Sequence, residues 1–359
     1  MMGLMGENKG TGSIAAALRS TEFGLIVSIA MLLGLIYLLA PPHSFYTRST
    51  QFSLLHQISL YGVLAVGASV VIISGGIDLS VGAVVALSSV VCAKLMTQWL
   101  WTGTPGTEPP VAIILLAEAL TLAMGLGLGL FHAFLINRFG LPPFIATLAT
   151  MSGLRSLASI LSENRVINVP YYWFRFLGAT PGATFQGASV SWATFVTFAV
   201  VATLASVMMG LTVRGRHLFA LGGNEAAARL SGLKIRQLKA FSYGLSGLLA
   251  ALAGILFAGR SGQASPSLGI SYELFAITAA VVGGCSLAGG VGSVRGTVLG
   301  LILLQTLIRG TGLVVRKIDF YLGSKHIVIE LNSTQVEGLV LGTVIILAVA
   351  INQRLRPKL

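Results

Sequence analysis

Few side chains in this chain are equipped for chemistry, and they sit in apolar company. Asp78 follows Gly75, Gly76 and Ile77 and precedes Leu79 and Ser80, between two long apolar runs; Glu118, His132 and Glu273 also lie in or beside such runs. A carboxylate in that setting is costly unless it is capped, paired or hydrated. Two roles stay open for Asp78. It can cap a helix beginning at Leu79, with Ser80 assisting, or it can belong to a polar path or its gate. Glu118 reads as turned toward other helices, Glu273 as sitting at the outer mouth of a span, and His132 as packed or hydrogen-bonded. Catalytic patterns are missing: there is no GxxxxGK[ST] phosphate loop, no HExxH and no nucleophile elbow. Cys92 and Cys285 fall in apolar or glycine-rich segments and read as small packing residues.

Two glycine-broken segments share the pattern GG-x-x-L-x-x-G. The first runs through Gly75, Gly76, Asp78, Ser80 and Gly82; the second through Gly283, Gly284, Ser286 and Gly290. Interrupted apolar segments in both halves of a chain point to a transport path, because broken helices leave backbone groups that only protein or water can satisfy. A chain that moves a solute without a nucleotide site must draw energy from a partner. An ion-coupled transporter using Asp78 and Glu118 is the contrasting possibility, and an intramembrane enzyme lacks its constellation.

The elements that must position these residues follow from composition. Of 359 residues, 55% are hydrophobic and 9% charged, with mean hydropathy +0.87, against about 25% charged in soluble domains. The chain is an all-α polytopic membrane protein. About ten transmembrane helices are predicted, some short or broken, over 23–40, 57–73, 81–100, 111–136, 143–161, 191–211, 241–258, 272–287, 297–315 and 336–351. They form a single transmembrane domain, 23–352, after a leader, 1–22, and before a basic tail, 353–359. Residues 43–56 and 162–190 read as polar outer connections. Gly125, Gly127 and Gly129 in the fourth span would allow close helix approach.

The net charge of +12 fits loops beside anionic lipid and gives no reason to invoke nucleic acid. It is concentrated in 214–239, where Arg214, Arg216, Arg229, Lys234, Arg236 and Lys239 lie between two spans. Such a loop faces the cytoplasm by the positive-inside rule, which also puts both termini inside. Gly222, Gly223 and Asn224 read as a turn starting a short helix, with Asn224 as N-cap and Glu225 and Arg229 at i,i+4; Gly232 ends it. A short polar helix held in order there suits a docking surface for a cytoplasmic partner. A topology determinant without a partner is the plainer alternative.

SGGIDLSVG at 74–82, ALGGNEAAARLSG at 220–232, and YEL at 272–274 followed by VGGCSLAGG at 282–290 together resemble the permease subunits of ribose-type bacterial ABC importers. The likeness keeps the same order across about 47–311. It implies a type II-like importer permease fold in the bacterial inner membrane, two permease copies or a related pair, a cytoplasmic ABC ATPase that carries ATP and Mg, and a periplasmic solute-binding protein. No cofactor is implied for this chain. The matching coupling positions are Gly222, Gly223, Asn224, Glu225, Ala226, Ala227 and Arg229. The implied cargo is a pentose or hexose, with nucleosides or another small polar solute as the alternative. One departure is visible: the family joins its last two spans by a short link, whereas residues 316–334 form an insertion that reads as a small hairpin turning at Gly323 and Ser324.

Overall fold

The computed structural model describes residues 21–42, 44–103, 107–179, 184–185, 188–189, 192–314, 317–322, 325–330 and 333–354. The expected leader, up to residue 20, and residues 355–359 of the tail lie outside them. The helices are α1 (Thr21–Leu39), α2 (Arg48–Ile73), α3 (Val81–Lys94, continued by a π turn at Leu95–Trp99), α4 (Val111–Phe139), α5 (Pro143–Ser162) and α6 (Tyr172–Gly178). They continue as α7 (Trp192–Leu211), α8 (Val213–Gly223), α9 (Glu225–Leu230), α10 (Ile235–Ser261), α11 (Tyr272–Val282), α12 (Val294–Val314) and α13 (Ser333–Arg354). Eight of the described helices are long and apolar enough to cross a membrane; α11 and the Glu337–Leu347 part of α13 are shorter apolar stretches. The chain is thus an all-α polytopic membrane protein.

The centre of the bundle is built from α2, α3 and α10, whose spanning windows are 89%, 78% and 72% buried, whereas α1, α5 and α7 are mostly outward-facing. Close approach of α10 to α4 depends on glycine. A Cβ on Gly125 would meet Ala251 and the Gly247 carbonyl, and one on Gly129 would meet the Tyr243 backbone; Gly127 faces open space. Only two of the three expected glycines therefore serve this contact.

Three helix limits differ most from the sequence expectation. The second span begins at Arg48 and not at residue 57, so most of the presumed outer connection is helix. Thr47 caps it, its hydroxyl oxygen accepting from Thr50 N at 3.2 Å, and Gln51 Nε2 donates to Phe45 O at 2.8 Å. These polar side chains are satisfied by protein, so they do not need to end the helix at water. The seventh span begins at Ile235 and not at 241, and the eighth stops at Val282, before Gly283 and Gly284. The connection after α5 contains α6 and a strand, Ile167–Asn168 (β1), which pairs antiparallel with Gln263–Ala264 (β4); Thr184–Phe185 (β2) pairs with Ala188–Ser189 (β3). In the insertion, Lys317–Leu322 (β5) and Lys325–Glu330 (β6) pair antiparallel, Leu322 opposite Lys325. The expected hairpin is present, and its turn residues lie outside the described ones.

Candidate functional site

The basic loop folds as two helices, where the sequence suggested one. Thr212 caps α8, its hydroxyl accepting from Gly215 N at 3.2 Å. Gly222 and Gly223 are the last residues of α8 and do not form a turn ahead of the next helix. Asn224 is the hinge between the helices, and its Oδ1 accepts from Ala227 N at 3.0 Å, the N-cap geometry expected of it. Gly232, at φ +79°, follows the end of α9.

Glu225 is held by two cations. Arg229 Nη2 lies 3.0 Å from Glu225 Oε1, and Lys239 Nζ, from the first turns of α10, lies 2.8 Å from Oε2. Partial burial pushes the Glu225 carboxyl up, but the hydrogen bonds and charges of Lys239 and Arg229 outweigh it and hold the carboxyl below its ordinary range. Only Arg229 was visible as a partner in the sequence, because Lys239 reaches Glu225 across a helix junction. The outer face of α9 carries Ala226, Ala227, Arg229 and Leu230. Leu230 is 90% exposed, an apolar knob on a polar helix that sequence reading passed over; its place directly after the GGNEAAAR run was the available signal.

The same segment touches both glycine breaks. Gly222 packs on backbone alone: a Cβ there would collide with Ile73 O at the end of α2, with Gly290 N, and with Gly75 N. Gly290 N donates to Ile73 O at 2.9 Å, tying the second break to the end of α2. Gly75, Gly289 and Gly290 adopt φ +83°, +85° and +73°, conformations that L residues with a side chain rarely adopt. Gly75, Gly222, Gly289 and Gly290 thus form one backbone knot, with no side chain interposed between α8 and the breaks.

Other predicted positions lie apart from the knot. Gly76 sits beneath the Tyr243 hydroxyl, Gly283 against Gly296 and Thr297 of α12, and Gly284 (φ +93°) against the Thr21 methyl. Ser286 closes the second break: its N donates to Val291 O at 3.0 Å, and its Oγ accepts from Ala288 N at 3.3 Å.

Asp78 is buried, and it serves more than one helix. Its Oδ1 accepts from Ser80 N at 3.0 Å and from Ser80 Oγ at 2.5 Å, a turn ahead of α3, which begins at Val81 and not at Leu79 and has Ser80, not Asp78, at its N-cap position. Its Oδ2 accepts from Ser246 Oγ of α10 at 2.8 Å. The carboxylate therefore fastens the first break to the central helix as well as ordering the entry to α3. His132 is fully enclosed on α4, within electrostatic reach of Asp78, and its ring nitrogens have no hydrogen-bond partner among the described residues. Glu118 is buried, facing the bundle as expected.

Glu273 occupies the first turn of α11, beside Gly82 at the start of α3. Arg155 of α5 fixes the segment that precedes it. Arg155 Nη1 donates to Pro266 O (3.2 Å) and Leu268 O (2.5 Å), and Nη2 to Gly269 O (3.2 Å). Glu273 also interacts electrostatically with Arg155. Arg155 was not singled out by the sequence patterns above.

Residues 50–349 match the family described as "Branched-chain amino acid transport system / permease component". The chain belongs to this permease family. The permease is 37% identical over 310 residues to the ribose import permease protein RbsC of Bacillus subtilis (strain 168), covering 86% of this chain and 90% of the relative. It is 36% identical over 293 residues to the inner membrane ABC transporter permease protein YjfF of Escherichia coli (strain K12), covering 80% and 84%. Identity to the galactose/methyl galactoside import permease protein MglC of Escherichia coli (strain K12) is 32% over 302 residues, covering 80% and 86%. The permease is accordingly a transport component of the ribose-type ABC importers, and not an enzyme.

Proposed function

We propose that the permease imports a small sugar, a pentose or hexose, handed to it by a periplasmic solute-binding protein. Relatives named for ribose and galactose import support a sugar as cargo. Two copies, or this chain and a related permease, enclose the path in the bacterial inner membrane, with both termini in the cytoplasm. ATP and Mg are held by a cytoplasmic ABC ATPase that docks on α8 and α9.

One observation carries this reading: Gly222, at the end of α8, packs directly on the backbone of both broken segments. Force applied to α8–α9 is delivered to the breaks without passing through flexible side chains. Asn224, Glu225 and Arg229 keep α9 in shape, while Ala226, Ala227 and Leu230 offer the low-profile, partly apolar face that a groove on the ATPase can accept. Asp78 and Ser80 hold the first break to α10, and Glu273 marks the start of the second broken helix pair.

The test is uptake of labelled ribose and galactose by vesicles containing the permease, its ATPase and its binding protein. Uptake that requires ATP and all three proteins supports the proposal. Uptake by the permease alone, driven by an ion gradient, overturns it.

A further inference from the structure

The lipid-facing side of α4 and the start of α10 form an amphipathic cleft that the transport reading does not use. A cavity of about 360 Å³ has an apolar wall of Leu130, Ala133, Phe134 and Ala240. Leu130 and Phe134 are 44% and 52% exposed on a membrane-spanning helix. At one end the wall gives way to Arg138 and Arg236, with Asn137 between them and its Nδ2 donating to Arg236 O at 3.2 Å. Asn137 and Arg236 also border a second, more polar cavity of about 710 Å³, lined in part by Lys234.

Neither arginine has a carboxylate partner among the described residues; Glu225, the acid of this region, is already taken by Arg229 and Lys239. We infer that this cleft binds one anionic phospholipid, its acyl chains along Leu130 and Phe134 and its phosphate between Arg138 and Arg236. Charge and polarity select this occupant. Acyl chains match an apolar groove at membrane depth, and a phosphodiester matches two unpaired guanidinium groups at its rim. A soluble partner would have to reach the groove through the hydrocarbon region. A two-fold contact between copies through this patch would bring like charges together. The headgroup would lie in the polar cavity, against the wall that also carries Glu225 and Arg229, so the lipid is placed to brace the α9–α10 junction.

The experiment is native mass spectrometry of the full-length, detergent-purified permease titrated with phosphatidylglycerol, phosphatidylcholine or inorganic phosphate. Wild type should retain one phosphatidylglycerol in preference to phosphatidylcholine. Removing both charges (Arg138→Gln with Arg236→Gln) should weaken that binding about thirtyfold, since each basic side chain near an anionic surface contributes about fivefold. The single variants should fall between, and Arg216→Gln, an equal charge change elsewhere on the same loop, should bind as wild type. Equal retention of the two lipids, equal loss in Arg216→Gln, retention unchanged in the double variant, binding of phosphate alone without lipid preference, or a second copy of the chain in place of lipid would each overturn the assignment.

Discussion

Replacing Gly222 by alanine places one methyl group where the structure has only backbone. The new Cβ would overlap Ile73 O, Gly290 N and Gly75 N, none of which can rotate away as a side chain would. Overpacking of this kind costs about 1–3 kcal/mol. If the collision also parts Gly290 N from Ile73 O, leaving those groups dry, about 1–3 kcal/mol more is lost. Alanine's helix propensity returns about 1 kcal/mol at most, so the net effect is destabilising. Gly223 is the control: nothing lies within 4 Å of a Cβ built there, and its backbone is outside the left-handed region. Gly223→Ala should therefore unfold thermally as wild type does, whereas Gly222→Ala should melt lower and transport less at equal expression. The assay is thermal unfolding of both purified variants, alongside sugar uptake. Equal tolerance of the two substitutions would refute the knot as a rigid contact.

Asp78→Asn should preserve assembly and most transport, because its carbonyl oxygen can still accept from Ser80 and its amide can donate to Ser246; Asp78→Leu should lose about 1–3 kcal/mol for each group left unsatisfied, read as a lower Tm, and a collapse of uptake in Asp78→Asn at normal assembly would instead assign a role to the charge. Arg155→Lys replaces a fork that reaches three carbonyls by a single nitrogen, so two charge-assisted bonds of about 1.5 kcal/mol each should be lost; hydrogen exchange across 262–273 should quicken, and unchanged protection would remove Arg155 from that task. Because the Glu225 carboxyl is held low, the stability it contributes is fully present above its unfolded value of about 4.3 and is lost as pH falls through the lower folded value. An infrared carboxyl titration should find that lowered midpoint, moving up toward the ordinary range in Lys239→Gln; a midpoint above the ordinary range in wild type would contradict the pairing.

The membrane class, the two breaks and the cap at Asn224 were legible because each is written in a local run of residues. Hydropathy placed the spans well where helices face lipid, as in α4 and α5. It failed at the start of α2, where Thr50 and His56 are polar yet buried in protein, so that their polarity carries no boundary signal. Gly222 and Gly223 look like a turn to any local rule. Their helical role follows from contacts with residues 73, 75 and 290, which no neighbouring residue announces. The same holds for Asp78, whose cap-like bond to Ser80 was foreseeable and whose bond to Ser246 was not. The pairing of Lys239 with Glu225 needed the turn after α9 to fold α10 back beside it.

The central claim is that α8 and α9 transmit the ATPase stroke to the broken helices. It is tested most directly by the number of sugar molecules moved per ATP hydrolysed in vesicles holding the permease, its ATPase and its binding protein. Glu225→Lys removes the partly exposed pairings with Arg229 and Lys239, worth about 0–1 kcal/mol each, and opposes the positive end of α9, a further effect of about 0.3–1 kcal/mol. The variant should therefore insert, express and melt near wild type, while sugar moved per ATP falls or the ATPase no longer binds. A wild-type ratio with normal ATPase binding, in Glu225→Lys and in Arg229→Glu alike, would contradict the account.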